Sequence, residues 1–185
     1  DAFTSLKILR IIKDQHKDNW EKFLSTSTKS SVESLLKSEG IYSIFENVKG
    51  RNMMYLVCTL HPEHCFHPTY ASWGYVWDLR RDPEPFLNLS VNELKANLKK
   101  ISPKALRVLK TNKAPVVLDK KFALKEKAYS ELDLETILKR AKLVRNSENF
   151  CKNIQIINRE AAEEKAQTQT QEDLLPEETL YEKFI

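Results

Sequence analysis

The period of the hydrophobic pattern changes twice along this 185-residue chain, and the two changes restrict it to a fold of mixed elements. Leu6, Ile8, Leu9, Ile11 and Ile12 recur at helical spacing and predict a helix over Ala2 to Lys13 with a wide apolar face. Short helices are expected through Trp20, Phe23 and Leu24, capped by Asp18 or Asn19, and through Val32, Leu35 and Leu36, capped by Ser30 or Ser31 and ended by Gly40. The pattern then turns to aromatic and β-branched residues over 41–45, 53–60 and 75–79, which predicts strands. Lys49-Gly50-Arg51-Asn52 reads as the hairpin turn between the first two. Ser90 to Glu93 forms a capping box before Leu94 and Leu98. Residues 105–110 alternate apolar and charged, as a half-buried strand does. From Asp133 the period is helical again, with Leu134, Ile137, Leu138, Ala141 and Val144 on one face, and a second helix follows through Phe150, Ile154 and Ile157. Lys165 to Glu172 is polar and reads as a linker. The expected class is α+β, a small barrel-sized set of strands between helices.

Charge narrows the partners. Residues 160–185 hold eight acidic side chains against two lysines, so the net +4 of the chain conceals +10 on residues 1–159. A basic body with an acidic tail fits a polyanion partner, or an ordinary basic surface. Three cysteines without framework spacing point to a reducing, cytoplasmic compartment. No apolar run reaches the roughly 20 residues of a membrane span. With only 3 glycines, no phosphate-cradling loop is present. The chain opens inside a helical pattern, and its N-terminus reads as a cut.

Histidine, cysteine and carboxylate chemistry is weakly signalled. His61, His64, Cys65 and His67 supply four zinc-type ligands within seven residues. Neighbours at 64 and 65 rarely face one metal, however, and no second ligand pair is evident elsewhere. Pro62 and Pro68 mark a loop between strands, and a plain surface loop is the expectation. No nucleophile with a base, and no paired carboxylates, stand out. Aromatic residues interleaved with cations are better represented: Tyr70, Trp73, Tyr75 and Trp77 precede Arg80 and Arg81. Such a pattern suits base stacking beside a phosphate-tracking groove, although Tyr75 and Trp77, at alternate strand positions, are expected in the core. Lys99, Lys100, Lys104, Arg107, Lys110 and Lys113 form either a phosphate-facing stripe or a solvated face.

The order of segments resembles the bacterial exodeoxyribonuclease I family. Trp73 to Leu87 is similar to its "DL…D…PLL" segment, and Val108 to Val117 to its "hiNKcPvl" segment, with Asn112, Lys113 and Pro115 identical. His61-Pro62 stands at its "WHP" step, and Leu180-Tyr181 with Phe184 resembles its "lY.gFf" segment. The resemblance implies a DEDDh nuclease whose SH3-like and helical domains embrace single-stranded DNA and degrade it from the 3′ end. Residues 1–16 would be the last nuclease helix, 17–165 an SH3-like small β-barrel with flanking helices, and 166–185 a linker and the start of the helical domain. Asp1 would be the one catalytic, Mg²⁺-binding carboxylate present; the histidine base and the other acidic ligands would lie upstream. The family's SH3-like domain also helps to bind the acidic, Phe-ending tail of the single-stranded-DNA-binding protein, for which Trp20, Lys22, Lys139, Arg140 and Arg145 are the candidates by this resemblance. At Lys22 the family has a tyrosine, a departure that reshapes the pocket. The protein is expected to be a monomer with no membrane partner and no cofactor of its own in this segment. The alternative is a non-enzymatic SH3-like docking module. Because two-metal hydrolysis needs the whole carboxylate set, the isolated chain with Mg²⁺ is expected to release no nucleotides from a single-stranded oligonucleotide; acid-soluble product from the purified chain would contradict this.

Overall fold

The computed structural model describes the backbone of residues 2–15, 17–48 and 50–182, with the side chains at 2, 5, 12, 18, 19, 22, 23 and 169–182 left undescribed. Three helices come first: α1 (Ala2–Gln15), α2 (Lys17–Ser25) and α3 (Lys29–Lys37). The cap of α3 is Thr28, whose hydroxyl accepts from the Ser31 amide, two or three residues ahead of the expected serines. Strands β1 (Ile41–Val48), β2 (Arg51–Thr59) and β3 (Trp73–Asp78) follow. Next come α4 (Val91–Lys100), β4 (Leu106–Lys110), β5 (Val117–Asp119), α5 (Leu134–Asn146) and α6 (Glu148–Glu182). Residues 165–172, expected as a linker, continue the helical backbone of α6. Ser90 and Glu93 form the expected capping box of α4.

The five strands make one antiparallel sheet in the order β4-β3-β2-β1-β5. The β1–β2 hairpin pairs Ile41 with Cys58 and Val48 with Arg51. Gly50 turns it at φ +78°, a left-handed conformation that costs glycine little, and its amide donates to the Asn47 side chain. Residues 55–59 of β2 and 74–78 of β3 are buried without alternation, because elements cover both faces of the sheet there. At Gly74 a Cβ would sit 2.2 Å from Leu36 Cδ1, so the glycine is what lets α3 lie directly on β3. Tyr75 and Trp77 are in the core as expected. The Trp77 ring packs against Phe86 and Phe150 at 5.6 and 5.5 Å, and its indole N–H donates to the Arg81 carbonyl at 3.0 Å.

β4 alternates as expected, and its inward face carries an arginine. Arg107 and Leu109 point inward, while Leu106, Val108 and Lys110 point outward or part-way. The reason is a buried carboxylate. Asp78, fully buried, accepts from the Tyr129 hydroxyl at 2.8 Å, from the Arg80 amide and guanidinium at 3.1 and 2.8 Å, and from Arg107 at 3.5 Å. Arg107 also donates to Glu46 at 2.8 Å and lies 3.1 Å over the Tyr55 ring. Burial, then the Asp78 charge, push the Tyr129 phenol well above its ordinary range. Truncating one member leaves the others buried and unpaired. Asp78→Ala is therefore expected to lose about 3–5 kcal/mol of stability, and Tyr129→Phe, which removes one donor to the buried carboxylate, about 1.5–3 kcal/mol. Urea denaturation of the two variants checks both values, and equal losses would contradict this account of the network.

Candidate functional surfaces

Two surfaces combine exposed cations with apolar or aromatic side chains. The first lies at the end of the sheet where β3 begins and β4 ends. Antiparallel pairing sets Trp73 opposite Lys110, whose ammonium sits 4.9 Å over the Trp73 ring centroid. The Tyr70 ring lies 4.7 Å from Trp73, tilted by 41°, and is 37% exposed. The loop under them is held by His67, whose Nδ1 accepts from the amides of Thr69 and Tyr70 at 3.0 and 3.2 Å. Burial lowers the His67 pKa, so the ring stays neutral around pH 7 and keeps Nδ1 free to accept. Thr111 closes the surface by donating its amide and hydroxyl to the Ser72 carbonyl at 2.8 and 3.2 Å. That pair of bonds ties the end of β4, where Lys110 is exposed, to the aromatic loop; Lys113, also exposed, follows in the turn after it.

The expected lysine stripe is thus divided. Lys99 and Lys100 are exposed in the last turn of α4, and Lys104 is exposed before β4. At a strand rise of about 3.3 Å per residue, the Lys104 and Lys110 ends are roughly 20 Å apart. Arg107 does not belong with them. It is 7% exposed and committed to Asp78, Glu46 and Tyr55, so its guanidinium is not offered to a phosphate.

The second surface is built on α5. Its expected apolar face is only partly buried: Ile137 and Val144 are in the core, whereas Leu134 and Leu138 are 53% and 49% exposed. Leu138 and Ala141 line a cleft of about 520 Å³ with Gly40, Ile41 and Cys58. Lys120, Lys142 and Arg145 are its cations, and Glu39 and Asp119 also line it. Of the residues anticipated for partner binding, two have structural duties. Arg145 donates to the carbonyls of Lys37, Ser38 and Leu60 and to the Thr59 hydroxyl, at 2.7–3.3 Å. Arg140 donates to the carbonyls of Leu79 and Arg80 at 2.8 and 3.1 Å. Lys139 makes an exposed pair with Glu84 at 3.9 Å, a contact worth little in water. Trp20, half-buried on α2, does not line the cleft. The Lys22 side chain and Asp1 lie outside the described residues. Lys120 was missed in the sequence because nothing local marks it, whereas the Leu138–Lys142 spacing of four residues signals a shared helix face.

The three cysteines are free and buried. Burial pushes the Cys65 and Cys151 thiols up to about 11, which makes them poor nucleophiles at neutral pH. None of the described helices is long and apolar enough to cross a membrane.

Comparison with known proteins agrees with this architecture. Solved structures of similar fold include a moderately thermophilic exonuclease I from Methylocaldum szegediense, with a TM-score of 0.61 and 18% identity over 82% of this chain and 34% of that one. Exonuclease I of E. coli in complex with a 5cy-dT13 oligonucleotide gives a TM-score of 0.59 and 16% identity, over 85% and 36% of the two chains. A structure described as an ExoI/SSB-Ct complex gives 0.60 and 15%, over 85% and 36%. The chain therefore spans about a third of the length of these proteins. No match is found among curated protein sequences. The sequence profile of the exonuclease I SH3-like domain matches residues 16–160, most of the chain. On that match the chain belongs to the exonuclease I SH3-like domain family.

Proposed function

We propose that this chain is the SH3-like part of a 3′→5′ single-strand-specific DNA exonuclease, and that it grips the strand and docks the tail of the single-stranded-DNA-binding protein. The observation that carries the DNA reading is the Tyr70–Trp73 pair with Lys110 across the indole. Stacking on aromatic rings beside mobile cations holds single-stranded nucleic acid without reading its sequence. Lys113 extends the cationic edge there, and Lys99, Lys100 and Lys104 supply a second group of phosphate contacts beyond β4. Domain membership supports the reading, as does the fold shared with an exonuclease described as oligonucleotide-bound.

The α5 cleft is the proposed seat of the protein tail. A Phe-ending acidic segment needs an apolar slot with a cation at its mouth. Leu138, Ala141 and Ile41 provide the slot, and Lys142 and Lys120 provide cations that make no ion pair among the described residues. Arg145 shapes the cleft rather than gripping the ligand. The division at 16/17 and 165/166, a soluble cytoplasmic setting and a monomeric state belong to the same proposal. Hydrolysis, with Mg²⁺ held by a carboxylate set to which Asp1 would contribute, is assigned to the remainder of the enzyme.

Anisotropy of a labelled oligothymidylate tests the grip. Binding is expected to weaken steeply with salt, and Lys110→Gln to lower the slope of log K against log salt by about 0.7. Tyr70→Ala is expected to cost about 1–3 kcal/mol. Lys142→Glu should abolish binding of an acidic peptide ending in Phe and leave oligonucleotide binding unchanged. Peptide binding with no oligonucleotide binding at any salt would favour a pure docking module and remove the DNA half of the proposal.

A further inference from the structure

The loop between β2 and β3 contains a group that neither proposed surface uses. A turn closed by the His64 amide on the His61 carbonyl at 2.9 Å gathers His61, Glu63 and His64. One ligand atom from each lies within 4.8 Å of the others. Helix α6 reaches this turn from the other side. Gln155 donates its amide N–H to the Phe66 carbonyl at 3.1 Å, which orients its oxygen toward His64 Nδ1, also at 3.1 Å. An amide oxygen can only accept, so Nδ1 carries a hydrogen, and in the neutral ring Nε2 keeps a lone pair. That Nε2 is sealed from solvent and has no hydrogen-bond partner. It faces a carboxylate oxygen of Glu148, the first residue of α6, at 3.6 Å. The same oxygen takes the Lys152 ammonium at 2.6 Å, and a further cation between it and the ring, a proton or a metal ion, would complete the pairing.

The geometry points to a divalent transition-metal site of the zinc class, with His61, Glu63 and His64 as ligands and Glu148 in the fourth position. Ligands at about 2.0–2.2 Å around a tetrahedral ion stand roughly 3.4 Å apart, close to the His64–Glu148 spacing. Glu63 is exposed and His61 only half-buried, so both can rotate inward, while Gln155 holds His64 in the ligating tautomer. Two imidazoles favour a zinc-class ion over Mg²⁺. The ligand set differs from the four residues the sequence suggested. Cys65 is turned away, its thiol donating to the Pro62 carbonyl at 3.2 Å, and His67 is occupied by two amides. The missing second half of the site comes from a helix more than 80 residues later. An ion there would clamp the β2–β3 loop to the start of α6.

The test is a zinc titration of the chelator-treated 185-residue chain, followed by imidazole NMR and repeated with Co²⁺ by visible absorption. One equivalent is expected to bind and to move the resonances of His61 and His64, with those of His67 as an internal control that stays in place. A tetrahedral Co²⁺ spectrum is expected. Glu63→Gln and Glu148→Gln, checked for folding by circular dichroism, should each weaken binding about tenfold or more. If a variant fails to fold, the histidine shifts of the unmodified chain decide. The proposal is overturned by no uptake at one equivalent, by uptake that moves His67 or His16 instead, by equal affinity in both variants (an adventitious ion only), or by a His64 ring that carries a proton on Nε2 and ignores zinc.

Discussion

A buried carboxylate must be answered by donors on every side, and Asp78 imposes that demand on this sheet. It ends β3, and its partners arrive from the turn after β3, from β4 and from the segment before α5. Desolvating a charge in a low-dielectric interior is tolerable only when such donors converge with good geometry. Arg107 meets the demand from β4, and Glu46 balances it from β1. The pairing fixes which face of β4 is inward and, with it, which lysines are outward. Lys110 is exposed beside Trp73 because Arg107, three residues earlier, is buried on the opposite face.

The arginines and lysines of the chain divide their labour accordingly. Arg107, Arg140 and Arg145 each bridge two or more elements through carbonyls, hydroxyls or carboxylates, a use that suits the rigid five-donor fork. Lys110, Lys113 and Lys142 keep flexible, hydrated charges at the surface. Lys95 is used differently, tying α4 to α6 through Glu160 and Glu164 at 3.2 Å. The acidic start of the tail is therefore partly engaged with the basic body.

Much of the architecture was legible because it rests on local rules. The period change at Ile41 and its return at Asp133 mark the strands and helices. The Ser90–Glu93 capping box placed α4 correctly, and tight alternation marked Tyr75 and Trp77 as core. What escaped depends on distant partners. Alternation in β4 gives a period of two but not its phase; only Asp78, brought alongside by strand pairing, decides it. Leu134 and Leu138 read as buried because spacing reports a face and not whether anything covers it. Arg140 and Arg145 looked like free cations because their acceptors are main-chain carbonyls, which leave no trace in side-chain composition. Glu148 and His64 are likewise joined by the fold and not by any motif.

The short edge strands carry one more consequence. β5 has three residues and β4 five, and β4 ends in an exposed lysine. Such edges offer little main-chain template for another strand, and charge at the rim discourages side-by-side sheet growth. A partner is thereby denied recognition by β-augmentation, in which affinity comes from main-chain ladders. What the described surface offers instead are aromatic rings, an aliphatic slot and ammonium groups.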